Sequence, residues 1–201
     1  MVINQVSFIG SSTDPAKCPE PLFPEYAFIG RSNVGKSSLI NMLVKRRALA
    51  KVSGKPGKTQ TINHFMVNNA WYLVDLPGYG YARVSKQDKS RWHDFSLRYI
   101  ENRTNLMTLF TLIDSRLEPQ AIDLDFLFLL GEARIPFALV YTKTDKVSRN
   151  QLNHNQSLMI RELSKDWEIL PPFYHTSATG GLGRDELLGY IDTTNKLFVK
   201  P

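Results

Sequence analysis

Residues Gly30 to Ser37 spell GRSNVGKS, a fit to G-x-x-x-x-G-K-S, and no other segment constrains the chain as strongly. The preceding EYAFI is a short apolar run suited to a buried strand. The following SLINMLV repeats apolar residues at helical spacing, through Leu39, Ile40, Leu43 and Val44. A strand, a glycine-bearing turn and a helix in that order bring backbone N–H groups near Gly35 to the positive end of the helix. There they converge on phosphate oxygens. Lys36 is placed to neutralise the outer phosphates, and the Ser37 hydroxyl to hold Mg2+. The rival reading, a chance glycine-rich turn, does not explain the strand and helix on either side. Gly30, Arg31, Ser32, Asn33, Val34, Gly35, Lys36 and Ser37 therefore form the first segment of a predicted nucleotide site.

Further segments follow in order. The apolar run Trp71 to Val74 ends in Asp75-Leu76-Pro77-Gly78, which sets an acid at the C-terminal end of a buried strand, where open α/β sheets bind ligands. Asp75 can orient water on Mg2+, and Gly78 lets the backbone turn and offers its N–H to a γ-phosphate. Without the phosphate loop, the same residues would read as a plain strand-ending turn. Between the two lies Lys51 to Thr61, KVSGKPGKTQT, polar and basic with Gly and Pro, which reads as a switch loop contributing Gly57, Lys58, Thr59, Gln60 and Thr61. Thr59 is the candidate for a second hydroxyl on Mg2+; Thr61, or a surface linker with no such role, are the alternatives. After the strand FALVY come Thr142-Lys143-Thr144-Asp145. Guanine presents N1–H and an exocyclic amine to one carboxylate, whereas adenine has no such pair of donors, so Asp145 selects guanine. Lys143 can lay its aliphatic stem on the base, and Thr176-Ser177-Ala178 can offer a backbone N–H to the guanine carbonyl.

Together GRSNVGKS, PGKTQT, DLPGYGYA, TKTD and TSA resemble the five ordered motifs of a translation-factor-class GTPase, and PGKTQT with DLPGYGYA resembles most closely the EngB (YihA/YsxC) family of bacterial ribosome-biogenesis GTPases. The similarity runs over about residues 3–198. It implies a small Ras-like G domain, Mg2+-dependent hydrolysis of GTP to GDP, and a role in large-subunit assembly with links to the cell cycle and septation. Two positions depart from the general GTPase pattern. Thr142 stands where NKxD has Asn, which puts a link between the base loop and the phosphate loop in question. Tyr79 stands directly after DxxG, where many GTPases carry a water-orienting Gln, so unaided hydrolysis is expected to be slow. A cation from a ribosomal partner, another protein or a monovalent ion could replace the missing group, which can be worth ~10³–10⁵ in rate. Asn33 resembles the P-loop Asn that helps bind K+ in potassium-stimulated relatives; a loop-stabilising Asn is the alternative. Arg31 and Arg83 are other charge donors. Catalytic assignments stay open among Asn33, Thr59 and Gly78.

The rest of the chain sets the frame. Strand-like runs at 25–30, 62–67, 70–75, 106–113, 136–142 and 171–176 alternate with helical patterns at about 36–47, 87–102, 119–133, 148–167 and 184–198. This is an α/β, Ras-like pattern, with a mixed, mostly parallel sheet, one antiparallel edge strand and helices on both faces. Asn68-Asn69 marks the hairpin. Trp92, Phe95, Tyr99 and Ile100 make one core stripe, and Leu152, Met159 and Leu163 another. A single domain over 1–201 is expected, opening on a short strand and a Pro-rich lead-in. Cys18 cannot pair internally, the N-terminus lacks a secretory pattern, and no apolar run reaches the ~20 residues that span a bilayer. A cytoplasmic monomer with no membrane contact is expected. The net charge of +6 suits a polyanion such as rRNA, or serves mainly nucleotide phosphates and solubility. Tyr79 and Tyr81 either stack on RNA, pack against a ribosomal protein, or are purely structural. The His residues are expected at the surface or core edge without a metal role, and GGLG at 180–183 as a helix lead-in. Rival functions are a P-loop nucleotide kinase, for which no acceptor lid is visible, and a nucleotide-bound assembly scaffold with negligible turnover.

Overall fold

The computed structural model describes residues 1–46, 49–50, 61–79 and 95–200. Its strands are β1 (Val6–Ser12), β2 (Glu25–Gly30), β3 (Ile62–Val67), β4 (Trp71–Asp75), β5 (Leu106–Asp114), β6 (Phe137–Thr142) and β7 (Phe173–His175). The helices are α1 (Lys36–Leu43), α2 (helical over 95–102), α3 (Ala121–Glu132), α4 (Arg149–Leu163) and α5 (Arg184–Asn195). The strands form one sheet in the order β1-β3-β4-β2-β5-β6-β7. Among the described residues β3 pairs antiparallel with both β1 and β4, making the antiparallel edge pair with β1, and the remaining pairings are parallel. The β3–β4 hairpin turns through Asn68 and Asn69, at φ 51° and 52°, the left-handed pair of a two-residue turn that asparagine tolerates. Asn68 also zips the N-terminal segment to the sheet, its side-chain oxygen accepting from the Asn4 and Gln5 N–H groups.

Strand β2 is buried on both faces, as its unbroken apolar run requires. Tyr26 and Phe28 face the layer of α1 and α5, where they meet Leu39, Ile40, Leu43, Leu187, Leu188 and Ile191. Ala27 and Ile29 face α2, α3 and α4, through Tyr99, Ile100, Leu127, Leu130, Met159 and Leu163. Both expected core stripes are present over their described residues; Trp92 lies outside them. Helix α1 stops at Leu43, short of the expected 47. Lys45 takes φ 53°, Asn41 turns its amide to the backbone of Ala50, and the Arg184 guanidinium caps the Leu43 carbonyl at 2.9 Å. Gly183, at φ 78°, is the N-cap of α5, and a Cβ there would stand 2.2 Å from the His175 carbonyl oxygen, so GGLG is the expected helix lead-in.

His64 departs from the expectation of a surface or core-edge position. It is fully buried and meets the Tyr99 hydroxyl at 2.8 Å. That hydroxyl donates in turn to Glu25, which also receives Arg103 at 2.9 Å. Burial alone would raise the Glu25 carboxyl, but hydrogen bonds from His64, Arg103 and Tyr99 outweigh it and hold the group below its ordinary range. This charged cluster ties α2 to β2 and β3 at the N-terminal end of β2. The candidate site lies at the opposite edge, where the C-terminal ends of β2, β4, β5 and β6 carry Gly30, Asp75, Asp114 and Thr142.

Candidate functional site

The loop after β2 folds as its sequence demands. Gly35 is the N-cap of α1 at φ 106°, a conformation that only glycine adopts without strain, and Asn33 sits at φ 63°. Ser32 and Asn33 are exposed, Val34 is buried, and Lys36 and Ser37 occupy the first turn of α1. The Lys36 ammonium pairs with the carboxylate of Asp75 at the end of β4. Leu76 and Pro77 are buried behind it. Gly78 then passes so close to Gly30 that a Cβ would lie 2.4 Å from the Gly30 carbonyl oxygen, so the two loops touch backbone to backbone. Ser37 and Asp75 thus offer oxygen donors, the ligand type Mg2+ prefers, beside a helix N-terminus.

The base-side loops converge on the same place. The Thr142 hydroxyl donates to the Val34 carbonyl at 2.5 Å, and the Lys143 ammonium reaches the Asn33 carbonyl at 2.5 Å and Asp114 at 2.8 Å. Threonine therefore supplies the link between base loop and phosphate loop that its replacement of Asn had put in question. Thr144 binds the Thr176 carbonyl through its N–H and its hydroxyl, at 3.2 and 3.0 Å. The Ser177 hydroxyl donates to Asp145 at 2.8 Å, and this bond, with Lys146 at 3.3 Å, holds the exposed Asp145 carboxyl below its ordinary range. Thr176 and Ser177 are buried, and Ala178 is exposed beside them.

Two acids escaped the sequence reading. Burial would raise the Asp114 carboxyl, but bonds from Arg116 and Lys143 hold it at about 2, so it is a fixed anion that steers the Lys143 side chain. It ends the apolar strand β5 just as Asp75 ends β4, and that strand-end position was the signal available. Asp123, in the first turn of α3, is 2 % exposed in its side chain; one of its oxygens accepts the Tyr79 hydroxyl at 2.9 Å and forms an ion pair with Arg31 Nε at 3.2 Å. No local pattern marks it. Burial outweighs the attraction of Arg31 and the Tyr79 bond, and raises its carboxyl above the ordinary range. The Tyr79 ring stacks on Phe126 at 4.3 Å, so this tyrosine is packed inside and is not a surface for RNA or protein. Arg31 is likewise turned to Asp123.

Of the switch-loop residues, Thr61 donates its hydroxyl to Asn63 at 3.1 Å. Gly57, Lys58, Thr59, Gln60, Tyr81 and Arg83 lie outside the described residues. Among the described residues, no group of three or more His, Cys, Asp or Glu side chains could hold a metal, and no helix is long and apolar enough to cross a membrane.

Comparison with known proteins agrees with this arrangement. A family model described as 50S ribosome-binding GTPase matches residues 25–143. The probable GTP-binding protein EngB of Bacteroides fragilis is 56 % identical over 196 residues, covering 98 % of each chain. Among solved structures, a probable GTP-binding protein EngB superposes with a TM-score of 0.70 at 24 % identity, over 87 % of this chain and 100 % of the other. Era in complex with MgGDPNP and a 16S ribosomal RNA segment gives 0.65 at 23 % identity, over 84 % of this chain and 55 % of that one; at these identities both structures speak for the fold alone. With the phosphate loop, the TKTD loop and their mutual bonds in one sheet-end cleft, and with a relative this similar over nearly its whole length, the chain belongs to the EngB family of GTP-binding proteins, which carry a GTPase domain.

Proposed function

We propose that residues 1–201 act as a single G domain, a slow Mg2+-dependent GTPase that switches with its nucleotide during assembly of the bacterial large ribosomal subunit. The observation that carries the reading is the convergence of Thr142 and Lys143 on the carbonyls of Val34 and Asn33. This fixes a guanine-selecting carboxylate, Asp145, relative to a phosphate cradle. In this reading Ser177 orients Asp145, Lys143 flanks the base, and Ala178 lends its N–H to the guanine carbonyl. Lys36 exchanges Asp75 for phosphate oxygens, leaving Asp75 to orient a metal-bound water. Ser37 and Thr59 are the hydroxyls for Mg2+, with Thr61 the alternative to Thr59. When bound, Mg2+ neutralises charge on the transferring phosphoryl oxygens.

Slow turnover follows from Tyr79, whose hydroxyl is committed to Asp123. A monovalent cation at the exposed Asn33, K+ in particular, is our proposed substitute. The left-handed backbone of Asn33 also gives that residue a loop-shaping role.

The subunit partner is proposed from the family description, from Era having been solved with ribosomal RNA, and from the +6 charge. A cytoplasmic monomer is the form we propose. A nucleotide kinase does not account for a base-selecting carboxylate, and turnover is what distinguishes the switch from a nucleotide-bound scaffold. The test is co-sedimentation with purified large subunits in GDP or a non-hydrolysable GTP analogue over a salt series, alongside phosphate release with and without Mg2+. Binding should favour the analogue and weaken as salt rises, because phosphate contacts release counterions. Binding blind to the nucleotide sinks the switch, and no Mg2+-dependent turnover even with subunits leaves a scaffold.

A further inference from the structure

The carboxylate of Asp123 joins three elements at one oxygen. Arg31 Nε comes from the phosphate loop, the Tyr79 hydroxyl from the loop after β4, and Asp123 itself from the first turn of α3. The site is closed, with Asp123 and Tyr79 both buried and the Tyr79 ring lying on Phe126 at an interplanar angle of 22°. A buried carboxylate is tolerated only when it is paired and hydrogen-bonded, and here the Arg31 ion pair, the Tyr79 hydroxyl and a helix N-terminus meet that need. Tyr79 is bonded in sequence to Gly78, and Gly78 lies against the Gly30 backbone. Whatever fixes Tyr79 therefore fixes the peptide expected to address the γ-phosphate, and whatever fixes Arg31 fixes the opposite wall of the same cleft.

We propose that Asp123 is a positioning residue for GTP hydrolysis, a clasp that holds the phosphate loop and the loop after β4 at a set distance through Arg31 and Tyr79. The inference rests on the GTPase reading above. GDP has no γ-phosphate and does not use the Gly78 N–H, so the clasp acts on turnover and leaves GDP binding alone. This separates it from a merely structural ion pair, whose loss lowers stability and both nucleotide affinities together.

The experiment compares wild type, Tyr79→Phe, Asp123→Asn and the double variant. The first substitution keeps the ring on Phe126 and removes only the hydroxyl. The second keeps volume and an acceptor oxygen but removes the charge that holds Arg31. Steady-state and single-turnover GTP hydrolysis are read beside GDP affinity and melting temperature. Each single variant should lose roughly 5- to 20-fold in kcat with KM for GTP little changed, consistent with loss of an interaction felt in the transition state. GDP affinity should stay within about twofold. The double variant should be no slower than the slower single one, because both cut one shared link and such effects are not additive. Unchanged kcat in the variants overturns the clasp, as do additive losses, or a kcat loss matched by equal losses of GDP affinity and melting temperature. A wild type that turns over no GTP under any of these conditions instead overturns the GTPase reading on which the clasp depends.

Discussion

Replacing Thr142 by Val tests whether base recognition and phosphate binding are mechanically joined. Thr142 is 3 % exposed, and its hydroxyl donates to the carbonyl of Val34, itself a buried residue. Valine matches the shape and keeps the β-branch, so the change removes one donor and leaves the carbonyl unmatched. An unsatisfied buried polar group costs about 1–3 kcal/mol. For a chain of this size that lowers the melting temperature by roughly 2–12 °C. If the bond holds the phosphate loop in its binding shape, the same energy sets the ceiling on affinity loss, about 5- to 150-fold. GDP and a GTP analogue should lose affinity by the same factor, because the bond reaches the loop backbone and not the γ-phosphate. Differential scanning fluorimetry and calorimetry read both quantities, and Thr142→Ser, which keeps the hydroxyl, should recover most of each. A Val variant that melts and binds like wild type would refute the reasoning.

In the proposed reading, Asp145→Asn puts an amide where guanine needs two acceptors. GTP affinity should fall and XTP, whose base has a carbonyl in place of the amine, should gain; calorimetry showing neither change rejects the assignment. Hydrolysis should run faster in KCl than in NaCl at equal ionic strength, and Asn33→Ala should erase the difference. Equal rates in the two salts for wild type leave Asn33 its loop-shaping role alone.

What was legible in the sequence was which contiguous segments come together at the C-terminal ends of the strands. GRSNVGKS, the strand-end Asp75, TKTD and TSA each announce themselves in a few positions, and alternating apolar runs gave the order and approximate bounds of strands and helices. What was not legible was contact across the sequence. Lys143 meets Asn33 across 110 positions, Thr142 meets Val34 across 108, and Tyr79 meets Asp123 across 44. No periodicity encodes such pairs, so nothing singled out Asp123, and Tyr79 stayed open between partner contact and the purely structural role it takes here. His64 was misread for the same reason, since its partners Tyr99 and Glu25 lie on other elements.

These long-range links end on neighbouring residues of one loop. Arg31 is held by Asp123, the Asn33 carbonyl by Lys143, and the Val34 carbonyl by Thr142. In a trans peptide the carbonyl and the following N–H point opposite ways, and no cis bond occurs among the described residues. Drawing the Val34 carbonyl toward Thr142 therefore turns the Gly35 N–H away from the base loop, to the side where phosphate oxygens are expected at the start of α1. In the proposed reading, one peptide plane thus faces the base loop with its acceptor and the phosphates with its donor. A change at residue 142 can then reach phosphate affinity without touching either the base or the phosphates.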